Sequence, residues 1–344
     1  MIAIHNSGQW SFRQEWVAYC EQKSISYKLV DAYDSDIISQ IKDCEAFLFH
    51  HHHTSAVDYN FAKQLLFSLE QSGMKVFPDF NTGWHFDDKL GQKYLLESID
   101  APMVNTHTYY DRPTAYNFID QATFPLVFKL RGGAGSNNVK LLRNKDEAIK
   151  KVNQCFGQGF ENYDRLGDIK ENIRRYKLKK ASIQDVLKSL RRVFKSTEFG
   201  KTAGRERGYF LVQDFIPNNT SDTRVITIGD KAFAIKRPVR KGDFRASGSG
   251  EILYDRREID ERCVSIAFET TQKLKAQCVA YDFVFDQENQ PLIVEINYGF
   301  AHRAYDLCPG YWTKDMDFVE GKVNPCGWMI EKLLCQEKNL FNES

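Results

Sequence analysis

Two strand-like runs, Tyr281-Asp282-Phe283-Val284-Phe285 and Pro291-Leu292-Ile293-Val294-Glu295-Ile296-Asn297, hold the residues whose types and spacing most directly imply chemistry. The polar stretch between them predicts a hairpin turning at Gln287 to Gln290. Pairing about that turn sets Asp282 opposite Glu295. The strand period of two then puts Glu295 and Asn297 on one face and Leu292, Val294 and Ile296 on the other. Two facing carboxylates repel each other unless a cation lies between them. Together with a nearby amide oxygen they form a hard donor set suited to Mg²⁺ or Mn²⁺. From the hairpin alone, the competing reading is an ordinary acidic surface on a solvated strand pair.

The elements that must position these residues can be read along the chain. Residues 1 to about 80 alternate short apolar runs with helical patterns, which predicts a parallel sheet with crossover helices and so an open α/β domain, residues 1–83. A helix is expected from about Phe86 to Glu97, with Asp87 and Asp88 near its start, where acidic residues suit the dipole. Strands at Thr106–Tyr110, Leu126–Leu130 and Val139–Leu142 make a second module, residues 84–154, with a glycine-rich turn from Arg131 to Asn138. Residues 155–208 show no strand-like alternation. There Ile183, Val186, Leu187, Leu190, Val193 and Phe194 recur at helical spacing opposite Lys188, Arg191, Arg192 and Lys195, as in an amphipathic helical insertion. From Tyr209 onward, residues 209–344, the pattern is antiparallel β with one helix around Val264 to Gln277, and Gly229-Asp230 reads as a two-residue hairpin turn.

Charge and cysteine usage exclude several classes. The 344 residues carry 47 Lys plus Arg against 46 Asp plus Glu, so no bulk attraction to nucleic acid or membrane is expected. The balance hides an asymmetry, because Arg165 to Arg207 holds 14 basic and 5 acidic residues. No apolar run approaches a membrane span, and the first ten residues lack a signal-peptide core, which points to a cytoplasmic protein. The eight cysteines stand singly, with none of the spacing of zinc or thioredoxin-type sites, and are expected to be reduced and mostly buried. Gly200-Lys201-Thr202 ends like a P-loop but has Lys195 where the first glycine belongs. Gly133-Ala134-Gly135 begins like a dinucleotide fingerprint but has Asn138 in place of its third glycine.

From about Trp84 to Asn297 the sequence resembles the ATP-grasp superfamily, through several elements in one order. Asp282, Glu295 and Asn297 match its metal ligands, with Glu295 bridging two ions. Lys89 and Lys129 match its two phosphate-binding lysines. The loop with Gly133, Gly135 and Ser136 resembles its phosphate flap. Gln213, Asp214, Phe215 and Ile216 resemble its adenine hinge, and Asp222 its ribose-binding acid. Asp222-Thr223-Arg224 and Gly242-Asp243-Phe244-Arg245-Ala246-Ser247 look like segments of the glutathione synthetase and ribosomal glutamate ligase branch, although that branch usually has Asn where Ser247 stands. The implied fold is α/β and α+β: an N-terminal open α/β domain followed by two α+β modules clasping ATP.

The resemblance further implies a carboxylate-amine ligase that uses ATP and Mg²⁺ or Mn²⁺. It would make an acyl-phosphate, join it to an amine and release ADP and phosphate, with Arg224 and Arg245 on the transferred phosphate and with Ala246 and Ser247 beside it. The basic insertion suits an anionic small-molecule, peptide or sugar substrate. An ATP-grasp kinase acting on a polyanionic hydroxyl compound is an alternative, as is a non-enzymatic nucleic-acid or partner-binding protein on the same fold. The resemblance also leaves room for a homodimer. Tyr298, His302 and Arg303 follow the metal ligands directly and are expected at the substrate. Lys236, Arg237 and Arg240 either grip an anion or form a solvated strand face. His50 to His53 end a strand of the first domain, where they line an acceptor site, bind a metal or form a turn with one ring packed inward.

Overall fold

The computed structural model describes residues 1–8, 11–52, 55–132, 139–161, 204–239 and 251–335, with the single residues 173, 176 and 182. Gly133, Gly135, Ser136, Arg240, Arg245, Ala246, Ser247, His53 and the amphipathic helix expected over 183–194 lie outside the described residues. The chain divides into two compact units: residues 1–86, 91–103 and 216–344 form one, and 87–90 with 104–215 the other. These units cut the chain differently from the four segments read in the sequence, because the N-terminal sheet and the C-terminal strands fall within the first unit.

The first unit begins with strands β1 (Ile2–His5), β2 (Tyr27–Val30), β3 (Ala46–Leu48) and β4 (Lys75–Phe77), joined by helices α1 (Arg13–Gln22), α2 (Ile37–Gln40) and α3 (Ala56–Gln71). The strands are parallel in the order β2-β1-β3-β4, the arrangement that strand-helix alternation predicts. Both faces are covered. Ala3, Phe47 and Val76 pack with α2 and α3, while Ile2, Ile4, Leu48 and Phe77 enter a second core shared with C-terminal elements. After α4 (Phe80–Gly83) comes α5 (Lys89–Ser98). It starts later than the sequence pattern suggests, because Asp87 adopts the left-handed conformation, at φ 50°, just before it.

Asp79 caps α4 by accepting a hydrogen bond from Thr82 N at 2.9 Å. Burial pushes its carboxyl up to about 6, outweighing the hydrogen bonds that favour the charged form. An unfolded carboxyl ionises near 4, so the folded chain holds this proton over a window in which the unfolded chain has lost it. Stability should therefore fall as pH rises through about 4 to 6, by roughly 3 kcal/mol from this group. Asp79→Asn keeps a capping oxygen and removes the titration. Urea unfolding across that window is expected to show a flatter pH profile for the variant and higher stability at pH 7. Superimposable profiles would dismiss the assignment.

The second unit contains β5 (Thr106–Tyr109), α6 (Arg112–Gln121), β6 (Leu126–Lys129), β7 (Lys140–Leu142), α7 (Lys145–Cys155), the short pair β8 (Phe160–Glu161) and β9 (Arg205–Glu206), and β10 (Phe210–Asp214). Its antiparallel sheet has the order β5-β10-β6-β7. Grouped by sequence with the C-terminal strands, β10 instead lies between β5 and β6. Phe128, Leu142, Phe210 and Val212 pack with Ala115, Ile119, Ala148 and Val152 of the two helices.

The rest of the first unit is a sheet in the order β14-β13-β11-β12-β15-β16, made of β11 (Ser221–Ile228), β12 (Lys231–Pro238), β13 (Cys278–Phe285), β14 (Pro291–Asn297), β15 (Gly310–Thr313) and β16 (Phe318–Glu320). Helix α8 (Glu261–Leu274) lies between β12 and β13 in sequence, and α9 (Pro325–Cys335) ends the described chain. Gly229, at φ 59°, and Asp230 form the expected two-residue turn between β11 and β12. One sheet face packs Val225, Ala234, Val279, Tyr281, Ile293 and Ile296 with α8. The opposite face contributes Ile226, Ile228, Phe233, Ile235 and Cys278 to the core shared with the N-terminal sheet and Trp328, Met329, Ile330 and Leu333 of α9. All eight cysteines are free thiols, seven of them buried. Among the described residues no helix is long and apolar enough to cross a membrane.

Candidate active site

The shared face of the large sheet changes character along its strands. Toward one end, β11 carries Ile226 and Ile228; toward the other, the same alternation presents Arg224 and Asp222. The register set by the Gly229-Asp230 turn pairs Asp222 with Arg237 of β12, and β11 pairs with β13 so that Arg224 opposes Asp282. Asp282 in turn opposes Glu295 of β14, as the hairpin spacing predicts. Four neighbouring strands thus bring three acids and two arginines onto one face.

The first four of these groups form a chain of alternating charge. Arg237 grips Asp222 with two hydrogen bonds, Nε to Oδ1 at 2.7 Å and an Nη2 to Oδ2 at 2.5 Å, and also reaches Asp282 Oδ1 at 2.9 Å. Arg224 holds the Asp282 carboxylate by both oxygens, at 2.5 and 2.6 Å. Exposure is 12% at Asp222, 11% at Arg237, 13% at Asp282 and 24% at Arg224. Burial alone would raise the Asp282 carboxyl, but the charges of Arg224 and Arg237 and their hydrogen bonds hold it well below the usual carboxylate range. At Asp222 burial and the neighbouring Asp282 charge prevail over Arg237 and push the carboxyl up.

The hairpin departs from the sequence reading beyond Asp282. Phe283 pairs with Ile293, which leaves Val294 as the extra residue of a bulge, and the turn spans Asp286 to Gln290. The face assignment of Leu292 and Val294 is therefore corrected: Ile293 and Ile296 enter the core, while Leu292 and Val294 remain half-buried. The cause is non-local, since Ile293 N–H donates to Pro102 O and Ile293 bridges Met103 at the sheet edge. Glu295 and Asn297, beyond the bulge, keep their common face and are both half-buried.

Asp282, Glu295 and Asn297 offer the kind of oxygen donors that a hard divalent ion takes. Asp282 Oδ1 receives two guanidinium hydrogen bonds and Oδ2 one, so Oδ2 retains a lone pair, and Asp282 pairs directly with Glu295. Asn297 Oδ1 accepts from Gly299 N–H at 2.9 Å and also has a second lone pair. The set is two carboxylates and one amide. Among the described residues there is no group of three or more His, Cys, Asp or Glu side chains that could hold a metal.

In the second unit, Lys129 ends β6 and donates to Gln213 Oε1 at 2.7 Å, and Gln213 donates onward to Thr106 Oγ1 at 3.0 Å. Lys89 N–H donates to Arg131 O, two residues beyond Lys129, and the Lys89 ammonium lies 3.6 Å from the Asp87 carboxylate. Both lysines, 6% and 7% exposed, thus gather at one end of β6. Such burial of ammonium groups is costly without anionic or polar partners. Asp214 meets His107 at 3.2 Å and Asn105 at 3.3 Å. Phe215 ends this unit, and Ile216 begins the return to the first.

Several expected contacts are placed elsewhere. Tyr298 is fully buried, and its hydroxyl engages His51, so its side chain is packed inside rather than at a substrate surface. His302 and Arg303 both approach Glu15 of α1, at 3.4 and 3.7 Å. Lys236 pairs with Glu258 at 3.0 Å on the face opposite Arg237. His50 and His51 are both buried, and His52 is half-buried. The Asp222–Arg237 pair was not recognised from sequence, although counting back from the Gly229-Asp230 turn sets these residues opposite each other.

Residues 187–305 match the family described as the RimK-like ATP-grasp domain. No curated protein matches the chain in sequence. Among solved structures, it is similar to D-cycloserine synthetase DcsG, with a TM-score of 0.58 and 12% identity, covering 96% of this chain and 98% of that one. A RimK domain ATP-grasp protein from Sphaerobacter thermophilus gives a TM-score of 0.54 at 15% identity over 97% and 99% of the two chains. D-alanine–D-alanine ligase from Bacillus anthracis, complexed with ATP, gives 0.52 at 15% identity over 86% and 85%.

Proposed function

We propose, from the ATP-grasp fold that this chain adopts, that it is an ATP-dependent carboxylate-amine ligase. The observation that carries the reading is the Asp222–Arg237–Asp282–Arg224 chain beside Glu295 and Asn297: paired carboxylates for a divalent ion, next to guanidinium groups suited to a phosphoryl group in transfer. The substrate carboxylate attacks the γ-phosphorus of ATP, giving an acyl-phosphate and ADP. An amine then attacks the acyl carbon, loses a proton, and inorganic phosphate departs.

Catalysis in such a site is mainly positioning and charge neutralisation. Mg²⁺ or Mn²⁺, held by Asp282, Glu295 and Asn297, would supply charge neutralisation on the polyphosphate. Lys89 and Lys129 bind the phosphates, and Gln213 with the backbone of Asp214 to Ile216 receives adenine. Arg224, bonded to Asp282, is assigned to the transferred group, with Arg245 as its partner in that role. Gly133, Gly135, Ser136, Ala246 and Ser247 complete the phosphate contacts. The substrates we favour are anionic, given the basic run from Arg165 to Arg207. We place the enzyme in the cytoplasm, where its eight free thiols stay reduced.

The test is phosphate release from MgATP across amino acids paired with diverse carboxylates, repeated with hydroxylamine as the amine. A ligase gives carboxylate-dependent phosphate release and a hydroxamate. Transfer of the γ-phosphate to a stable hydroxyl product, without phosphate release, would instead establish a kinase and overturn the reading.

A further inference from the structure

We propose that His50 and His51, at the exit of β3, are positioning residues for the Asn297 amide; this rests on the reading of Asn297 as a metal ligand. Two residues beyond Asn297 are held by these rings. Tyr298, 0% exposed, accepts a hydrogen bond from His51 N–H at 2.9 Å, and its hydroxyl lies 2.5 Å from His51 Nδ1. The backbone N–H and the ring of His51 thus hold the phenol oxygen from two sides. The His51 ring also stacks on Phe86, with centroids 4.8 Å apart.

Gly299 sits between the same groups. A Cβ built on it would meet His50 Nε2 and Phe86 Cε2 at 3.4 Å and Asn297 Oδ1 at 3.6 Å. His50 is itself fixed, because its Nδ1 accepts from Phe12 N–H at 3.1 Å and its ring stacks on Phe12 at 3.8 Å. Gly299 N–H, beside the His50 ring, donates to Asn297 Oδ1 at 2.9 Å. That bond decides which way the amide faces. With Oδ1 turned to Gly299 N–H, its second lone pair remains for an ion, whereas a flipped amide would present Nδ2 and lose the bond. The N-terminal domain thus acts on the metal site through two consecutive backbone positions, without supplying a ligand. This gives the histidine run a use that neither acceptor binding nor direct metal ligation provides.

The experiment measures Mn²⁺ affinity in the presence of ADP by electron paramagnetic resonance on wild type, Asn297→Ala, Tyr298→Phe and His50→Asn. Tyr298→Phe removes one hydroxyl and keeps the ring; His50→Asn keeps an acceptor for Phe12 N–H, removes the ring nitrogen beside Gly299 and tests the same link should the first variant not fold. Loss of a group that orients a metal ligand typically weakens metal binding about 10- to 100-fold, and a loss of that order is expected for both variants. In turnover assays the apparent Mn²⁺ requirement should rise by a similar factor, with kcat largely recovered at saturating metal. A merely structural role would lower the melting temperature and leave Mn²⁺ affinity unchanged. If Asn297→Ala weakens Mn²⁺ binding and the two other variants stay within twofold of wild type, the positioning role is overturned. If Asn297→Ala itself has no effect, the ligand assignment falls, and the positioning role falls with it.

Discussion

Glu295→Gln is expected to lower ATP turnover by at least about a thousandfold while the melting temperature stays within a few degrees of wild type. The substitution preserves size and shape at a half-buried position in β14, so the sheet and the core formed by Ile293 and Ile296 on its other face have no reason to change. What it removes is one of the two negative charges that face each other across β13 and β14. The remaining acid, Asp282, is already neutralised in large part by Arg224 and Arg237. Without Glu295 the donor set has little net charge with which to hold a divalent ion. Phosphate release gives the rate, and near-ultraviolet circular dichroism reports whether the aromatic packing persists. Turnover within tenfold of wild type would remove Glu295 from the site.

Arg237→Gln should destabilise the first unit by about 3 to 5 kcal/mol, a large share of the stability of an ordinary domain. Its guanidinium is the only group in the alternating chain that touches both Asp222 and Asp282. Glutamine leaves the largely buried Asp222 carboxylate without its cation and Asp282 with Arg224 alone. Lysine is expected to recover only part of the loss, because a single ammonium cannot grip one acid with two bonds and reach the other as well. Adding Asp222→Asn to Arg237→Gln should restore stability by removing the stranded charge, and so should lowering the pH from 7 to 5, where a proton can take the place of the cation. Urea unfolding of the four proteins measures all of this. A loss below 1 kcal/mol in Arg237→Gln would show that the acids do not depend on the bridge.

Legibility from sequence followed how local the determining interaction is. The parallel N-terminal sheet was readable because each strand and crossover helix carries its own hydrophobic period. The pairing of Asp282 with Glu295 was readable because a hairpin fixes its own register. The bulge at Val294 was not, since it is set by Pro102 and Met103 meeting the sheet edge some 190 residues away in sequence. The partners of β10 were equally hidden: alternation marks a strand and says nothing of its neighbours. His51 and Tyr298, 247 residues apart, could not be joined by any periodicity, which is why Tyr298 looked like a substrate contact beside Asn297 instead of a buried phenol.

The interrupted path of the chain through the first unit also fixes an order of events on the ribosome. The N-terminal sheet is synthesised first, and α2 and α3 can cover one of its faces at once. The other face, with Ile2, Ile4, Leu48 and Phe77, meets Met329, Ile330 and Leu333, which emerge near the end of the described chain. Between them come the residues of a complete second unit, whose own sheet and helices are contiguous enough to fold during that wait. Nascent chains released before α9 should therefore carry a partly uncovered apolar core and be captured by chaperones or aggregate, while β5, α6, β6, β7, α7 and β10 in the same chains have already packed.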